Sequence, residues 1–303
     1  MPFVSAFLNG CGARSAACDY AWQRVIRIAP SRFTDVTVVE RMQASSGHAM
    51  KPFARAVRFL ALAEIVLLFS GCLSLLPAPV PLRQLPVRSA QAAPAVPRTL
   101  VILLPGRGGT AEDYAKNDFA APLARLAPNV EAVAVDASWG YYARRTLVDR
   151  LHDDVIAPAR TRGVQRIWLV GISMGGLGAL LYGAYGPGDV DGMLLLSPFL
   201  GDDAVLEEIE KAGGLDLWQA KMPRDPDDYQ RNVWRWLKEE LARDPSRMAI
   251  CLGYPTEDSF ARGQRLLAER LPPARVWTTP GTHTWGPWKD LWERFLESGA
   301  LAD

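Results

Sequence analysis

The chain has 303 residues, 49% of them hydrophobic and 22% charged, with a formal net charge of +1. That composition excludes a disordered or collagen-like chain and fits a globular protein of one or two domains. The first 71 residues hold eight bases against four acids, so the remainder is three charges to the acidic side, without the basic footprint that binding to nucleic acid requires.

Residues 1–49 show no sustained hydrophobic period and carry scattered arginines. They are read as an N-terminal extension that is not part of the mature protein, because the segment after them looks like an export signal. Lys51, Arg55 and Arg58 form a positive region, the stretch 59–69 is apolar except for Glu64, and Ser70-Gly71-Cys72 follows. This order is that of a signal peptide over 50–72, with Met50 as the expected start. A cysteine directly after Ser-Gly resembles a bacterial lipobox, which makes Cys72 the candidate for lipidation. Phe69 and Glu64 depart from that pattern. The alternative is a membrane-anchoring or buried helix, but the uncharged run 65–82 contains Pro77, Pro79 and Pro81 and falls short of the ~20 residues of a span. The chain is therefore expected to be exported to the cell envelope and lipid-anchored to a membrane, with its folded domain in the periplasm or outside. The Pro/Ala-rich stretch 73–97 reads as an extended linker.

The folded domain is expected over 98–303. Thr99-Leu100-Val101-Ile102-Leu103-Leu104 is a continuous apolar strand of the kind found in a parallel sheet covered on both faces. It runs into Pro105-Gly106-Arg107-Gly108-Gly109, and Thr110 opens a short helix with a capping box. A second strand spans 130–135, and a helix covers roughly 144–162. The strand Arg166-Ile167-Trp168-Leu169-Val170 then leads into Gly171-Ile172-Ser173-Met174-Gly175-Gly176, followed by a buried helix. Strand, sharp turn and helix around Gly-x-Ser-x-Gly are the context of a nucleophile elbow; the alternative is a Gly/Ser-rich turn in some other α/β protein. Further strands are expected at 193–197, 248–252 and 275–279. Two helical patterns lie between 201 and 244, and others at 260–270 and 288–296. Alternating strands and helices of this size give βαβ units and a mostly parallel sheet.

A serine nucleophile needs a base. The histidines are His48, His152 and His283. His48 falls in the N-terminal extension, and His152 reads as a solvated helix-face residue. His283, just past the last strand, is the one that follows Ser173, as the order serine, acid, histidine requires. The acid belongs in the loop Gly253-Tyr254-Pro255-Thr256-Glu257-Asp258. Asp258 is the first choice, Glu257 the second, and Asp202 or Asp203 a third. The oxyanion hole is expected from the amides of Met174 and Arg107. The Arg107 side chain is either a contact for an anionic substrate group or a solvated loop residue. Among many aromatic residues, Trp139 and Trp285 are the candidates for substrate binding. The four cysteines (Cys11, Cys18, Cys72 and Cys251) have no metal-like spacing, and Cys251 reads as a small buried hydrophobe.

Residues 98–303 resemble the α/β-hydrolase superfamily, in particular bacterial serine esterases of simple architecture. The resemblance rests on Gly171-Ile172-Ser173-Met174-Gly175-Gly176, the 253–258 loop and Gly281-Thr282-His283. It implies an enzyme that cleaves small-molecule esters or thioesters through an acyl-enzyme, with no cofactor and no metal. Two departures stand out. Pro105 replaces a usual histidine, and no pattern for the usual first two strands precedes Thr99, which leaves an expected sheet of about six. Other readings on the same fold are a thioesterase, an acyltransferase or a non-catalytic binding protein. The elbow argues against a purely structural surface lipoprotein.

Overall fold

The computed structural model describes residues 77–88, 99–220, 225–243 and 247–301. The extension 1–49 and the signal-like segment 50–72, with Cys72, lie outside the described residues.

Seven strands form one sheet: β1 Gln84–Arg88, β2 Thr99–Leu104, β3 Val130–Val135, β4 Arg166–Ile172, β5 Gly192–Leu196, β6 Ala249–Pro255 and β7 Val276–Thr279. Their spatial order is β1-β3-β2-β4-β5-β6-β7. β1 runs antiparallel to β3, and every other neighbouring pair is parallel. The helices are α1 Glu112–Lys116, α2 Ala120–Leu126, α3 Trp139–Ala143, α4 Leu147–Leu151, α5 Ala157–Thr161, α6 Met174–Tyr185, α7 Asp203–Lys211, α8 Tyr229–Leu241, α9 Ala261–Ala268 and α10 Trp285–Glu297. The fold is the α/β architecture that the alternation of strand and helix predicts.

Past Thr99 in β2 and Arg166 in β4 the central strands are apolar, because helices cover both faces. Every residue of β2 and β5 is buried. On one face, alternate residues such as Val101, Leu103, Val170, Ile172, Leu194 and Cys251 share a core with Trp288, Leu291, Trp292 and Phe295 of α10. Cys251 is thus a buried hydrophobe, and burial pushes its thiol up to about 12.

The sheet has one strand more than expected, and it comes from the segment 73–97 that reads as a tether. β1 carries Pro86 yet pairs with β3. Proline is tolerated here because β1 is an edge strand with a single hydrogen-bonding neighbour, and the register slips between Pro86 and Arg88. Side chains then fasten the segment. Arg88 donates to the carbonyls of Leu123 in α2 (3.0 Å) and Pro128 just beyond it (3.1 Å), and Arg83 bridges Asp136 and Glu112.

The helix expected over 144–162 is interrupted. A π-helical turn, His152–Ile156, joins α4 to α5. His152 is not simply a solvated residue, since its Nδ1 lies 3.2 Å from the Tyr182 hydroxyl and 3.3 Å from Asp189 Oδ2.

Candidate active site

Ser173 connects β4 to α6 with φ 55° and ψ −114°, a backbone conformation that costs on the order of 1–3 kcal/mol in a residue with a side chain. The surroundings enforce it. The Ser173 N–H donates to Leu196 O at 2.9 Å, and its carbonyl accepts from Leu177 N and Phe199 N. The two motif glycines are demanded by contact. A Cβ on Gly171 would lie 2.2 Å from Gly175 O, and one on Gly175 would lie 2.0 Å from Leu104 O. Strand, turn and helix therefore close on one another without room for a methyl group. Ser173 itself is half-buried, while Met174 behind it is buried.

The loop after β2 reaches the same place. A Cβ on Gly106 would fall 3.4 Å from Ser173 Cβ. Residues 106–109 form a tight turn closed by Gly109 N–H to Gly106 O at 3.0 Å. Gly108 has φ 73° there, which only glycine adopts without strain. In such a turn the closing bond uses the fourth residue's N–H, so the Arg107 amide is not consumed by it. The first-turn amides of α6, Met174 among them, have no carbonyl within the helix to donate to. The helix end carries partial positive charge. The two amides expected to face an oxyanion thus come from two segments packed against Ser173.

Asp258 and His283 meet because β6 and β7 are neighbours. Their following loops are joined by Thr256 N–H to Thr279 O at 2.9 Å and Glu257 N–H to Gly281 O at 3.0 Å. That pairing holds Asp258 Oδ2 at 2.8 Å from His283 Nδ1. The Asp258 side chain is fully buried and the His283 side chain is 17% exposed. Burial pushes the Asp258 carboxyl upward. The hydrogen bond and charge of His283 pull it down, together with the Phe260 amide and the Ser197 hydroxyl, and the net result is below the ordinary carboxylate value. Phe260 N–H donates to Asp258 Oδ1 at 2.8 Å. An ionised carboxylate only accepts, so the His283 proton lies on Nδ1 and Nε2 is the basic nitrogen. The imidazole is gripped edge-to-face by Phe260 (5.1 Å) and Trp288 (4.9 Å).

Of the other carboxylates considered, one is exposed and two are engaged elsewhere. Glu257 is exposed, Asp202 accepts from Gln230 at 3.0 Å, and Asp203 pairs with Arg262.

A family model described as the alpha/beta hydrolase family matches residues 101–298. The chain belongs to the alpha/beta hydrolase family. No curated protein matches it. Among solved structures it is similar to Est1E from Butyrivibrio proteoclasticus, at 15% identity over 70% of this chain and 90% of that one, with a TM-score of 0.49. It is also similar to the S-formylglutathione hydrolase of Staphylococcus aureus, at 13% identity over 67% and 81%, TM-score 0.45. A third is the monoacylglycerol lipase of Paleococcus ferrophilus, at 18% identity over 72% and 99%, TM-score 0.44.

In this alpha/beta hydrolase the two candidate tryptophans differ. Trp139 opens α3, is 37% exposed and stacks on Tyr142 at 6.5 Å. The Tyr142 hydroxyl, kept protonated by burial, donates to Met174 O at 3.0 Å. Trp139 is thus linked to the elbow through one ring. Trp285 packs edge-on against Tyr114, Phe119 and Trp288, on the border of the core and one ring removed from His283.

Two residues of this region escape a reading by motif. One is Tyr142, whose hydroxyl holds the start of α6. The other is Ser197 at the tip of β5, buried, with φ 48°. Its signal in the sequence is faint: a serine before proline where an apolar strand ends.

Proposed function

We propose that the protein hydrolyses carboxylic esters through an acyl-enzyme on a Ser173–His283–Asp258 triad. The observation that carries this reading is the Asp258–His283 pair, held by adjoining loops at the end of the sheet where Ser173 occupies its strained turn. Ser173 Oγ attacks the ester carbonyl carbon while His283 Nε2 takes its proton. The amides of Met174 and Arg107 stabilise the oxyanion. His283 then passes the proton to the departing alkoxide, leaving an acyl-serine and a free alcohol. Water, activated by the same nitrogen, releases the acid and restores Ser173. Asp258 stays ionised throughout, holding the tautomer and stabilising the imidazolium.

The exposed face of Trp139 is proposed to line the substrate site, and Trp285 to border it. The membrane enters the proposal through Cys72: cleavage before it and lipidation would tether the domain to the cell envelope. The test of the chemistry is a panel of p-nitrophenyl esters and acyl thioesters with the parent and Ser173→Ala. Ester turnover that disappears in the variant supports the reading. Turnover of thioesters alone would replace it with a thioesterase, and no turnover of either would overturn it.

A further inference from the structure

We propose that the end of the sheet remote from Ser173 carries a second ligand site, for a small organic anion with an oxyanion head and an apolar body. Ser173 follows the C-terminal end of β4, whereas a cavity of about 530 Å³ lies at the N-terminal ends of β4, β6 and β7. Its sheet wall consists of Arg166, Trp168, Ala249, Cys251, Arg275 and Trp277. Side chains alternate along a strand, so these residues, two steps apart on each strand, stand on one face. It is the face that α10 covers. Ser298 and Ala300, just past α10, close the other side.

The space comes from the sequence of one row. Trp168, Gly192 and Ala249 are paired partners across β4, β5 and β6. A Cβ on Gly192 would lie 2.6 Å from Trp168 Cε2 and Cζ2, so the indole reaches over β5 with the part of its ring that adjoins Nε1. Ala249, next in the row, adds only a methyl group.

The wall is rich in donors. Trp168 Nε1 and Arg166 Nη1 are both buried and have no acceptor in the protein, and Trp168 is 1% exposed. Buried polar atoms are nearly always paired, and an indole or a guanidinium can only donate. What the site lacks is therefore an acceptor. Arg166 gives Nη2 to Ala300 O at 3.2 Å and has no ion pair among the described residues. It is half-buried, and a turn of its long stem brings Nη1 to an anion in the cavity. Arg247 and Arg275 add positive charge to the lining. Asp191 opposes them, but its Oδ2 already accepts from Ile167 N–H and Arg160 Nη2, each at 2.8 Å. Glu240, 3.4 Å from Arg247, is held closer by Arg243. Three guanidiniums favour a carboxylate or phosphate head, which they can bind through paired N–H groups. The volume exceeds what such a head fills and falls within the roughly 300–1,000 Å³ of small-molecule sites. Trp168, Trp277 and Ala249 offer apolar wall for the rest of the ligand.

The experiment follows the indole ¹⁵N–H resonances of the full chain during titration with benzoate, phenyl phosphate and inorganic phosphate at fixed ionic strength. Trp168→Phe assigns the Trp168 peak. The expected result is a saturable shift of that peak with benzoate or phenyl phosphate, at lower concentration than with inorganic phosphate. Arg166→Met and Arg275→Met should each raise the midpoint by roughly tenfold or more. Ser173→Ala should leave the titration unchanged, which separates this site from the triad. A Trp168 peak that none of the three anions moves would overturn the proposal. So would a midpoint unaltered in Arg166→Met, a shift lost in Ser173→Ala, or inorganic phosphate binding as well as phenyl phosphate. If Trp168→Phe does not fold, calorimetric titration of the parent and Arg166→Met with phenyl phosphate reads the same midpoints, and equal values would overturn it.

Discussion

Replacing Asp258 by asparagine tests the geometry around the base most sharply. The carboxylate accepts from His283 Nδ1 at 2.8 Å on one oxygen and from Phe260 N–H at 2.8 Å on the other. An asparagine keeps one acceptor. If its oxygen stays with the Phe260 amide, its NH2 faces His283 and forces Nδ1 to accept. The imidazole proton then moves to Nε2, the atom proposed to receive the serine proton. If the amide flips, a donor is pressed against the Phe260 N–H inside a fully buried site. By analogy with the serine-protease case the loss is about 10⁴ in kcat, or ~5.5 kcal/mol in activation free energy. The assay is steady-state hydrolysis of a p-nitrophenyl ester, with melting curves to confirm folding. The same variant tests a linkage. Asp258 is held below its ordinary value, so its ionised form contributes stability above the unfolded carboxylate value of about 3.9. That contribution is lost as pH falls through the folded value. The Tm difference between parent and Asp258→Asn should therefore shrink on acidification. Near-parental turnover in Asp258→Asn beside a crippled Glu257→Gln would refute the assignment.

His283→Ala should abolish turnover, whereas His152→Ala should leave the pH-rate profile unchanged, because His152 contacts Tyr182 and Asp189 rather than the elbow; a shifted profile in His152→Ala would contradict this. Gly175→Ala places a methyl carbon 2.0 Å from Leu104 O and 2.7 Å from Pro105 O, so calorimetry should show Tm lower by roughly 5–10 °C. Gly108→Ala meets no atom within 4 Å but sits at φ 73° and should cost only about 1 kcal/mol; equal losses in the two variants would show that contact is not what fixes the elbow. Cys72→Ala should block processing and release the protein from membranes, read by intact mass and fractionation. An unmodified Cys72 inside a longer parent chain would refute the anchor.

The parts of the fold legible in the sequence are those where physics leaves few choices. Past their first residues β2 and β4, and all of β5, are apolar because both sheet faces are covered, and Gly171 and Gly175 mark a turn that no side chain fits. β1 was hidden because proline density signals a tether, and an edge strand tolerates what an inner strand does not. The pairing of Asp258 rather than Glu257 with His283 depends on two backbone bonds between loops 25 residues apart in sequence, which no local pattern encodes. Ser197 and Tyr142 are invisible for the same reason. Each acts through a partner distant in sequence, Trp288 for one and Met174 for the other.

The central claim is that Ser173 is a nucleophile activated by its surroundings. The direct measurement is reaction of the full chain with a fluorophosphonate, followed by trypsin digestion and tandem mass spectrometry. The peptide 167–211 contains both Ser173 and Ser197. A stoichiometric adduct on Ser173, lost in Ser173→Ala and slowed by orders of magnitude in His283→Ala, is the expected result. An adduct at another residue, or labelling that persists in Ser173→Ala, would contradict it.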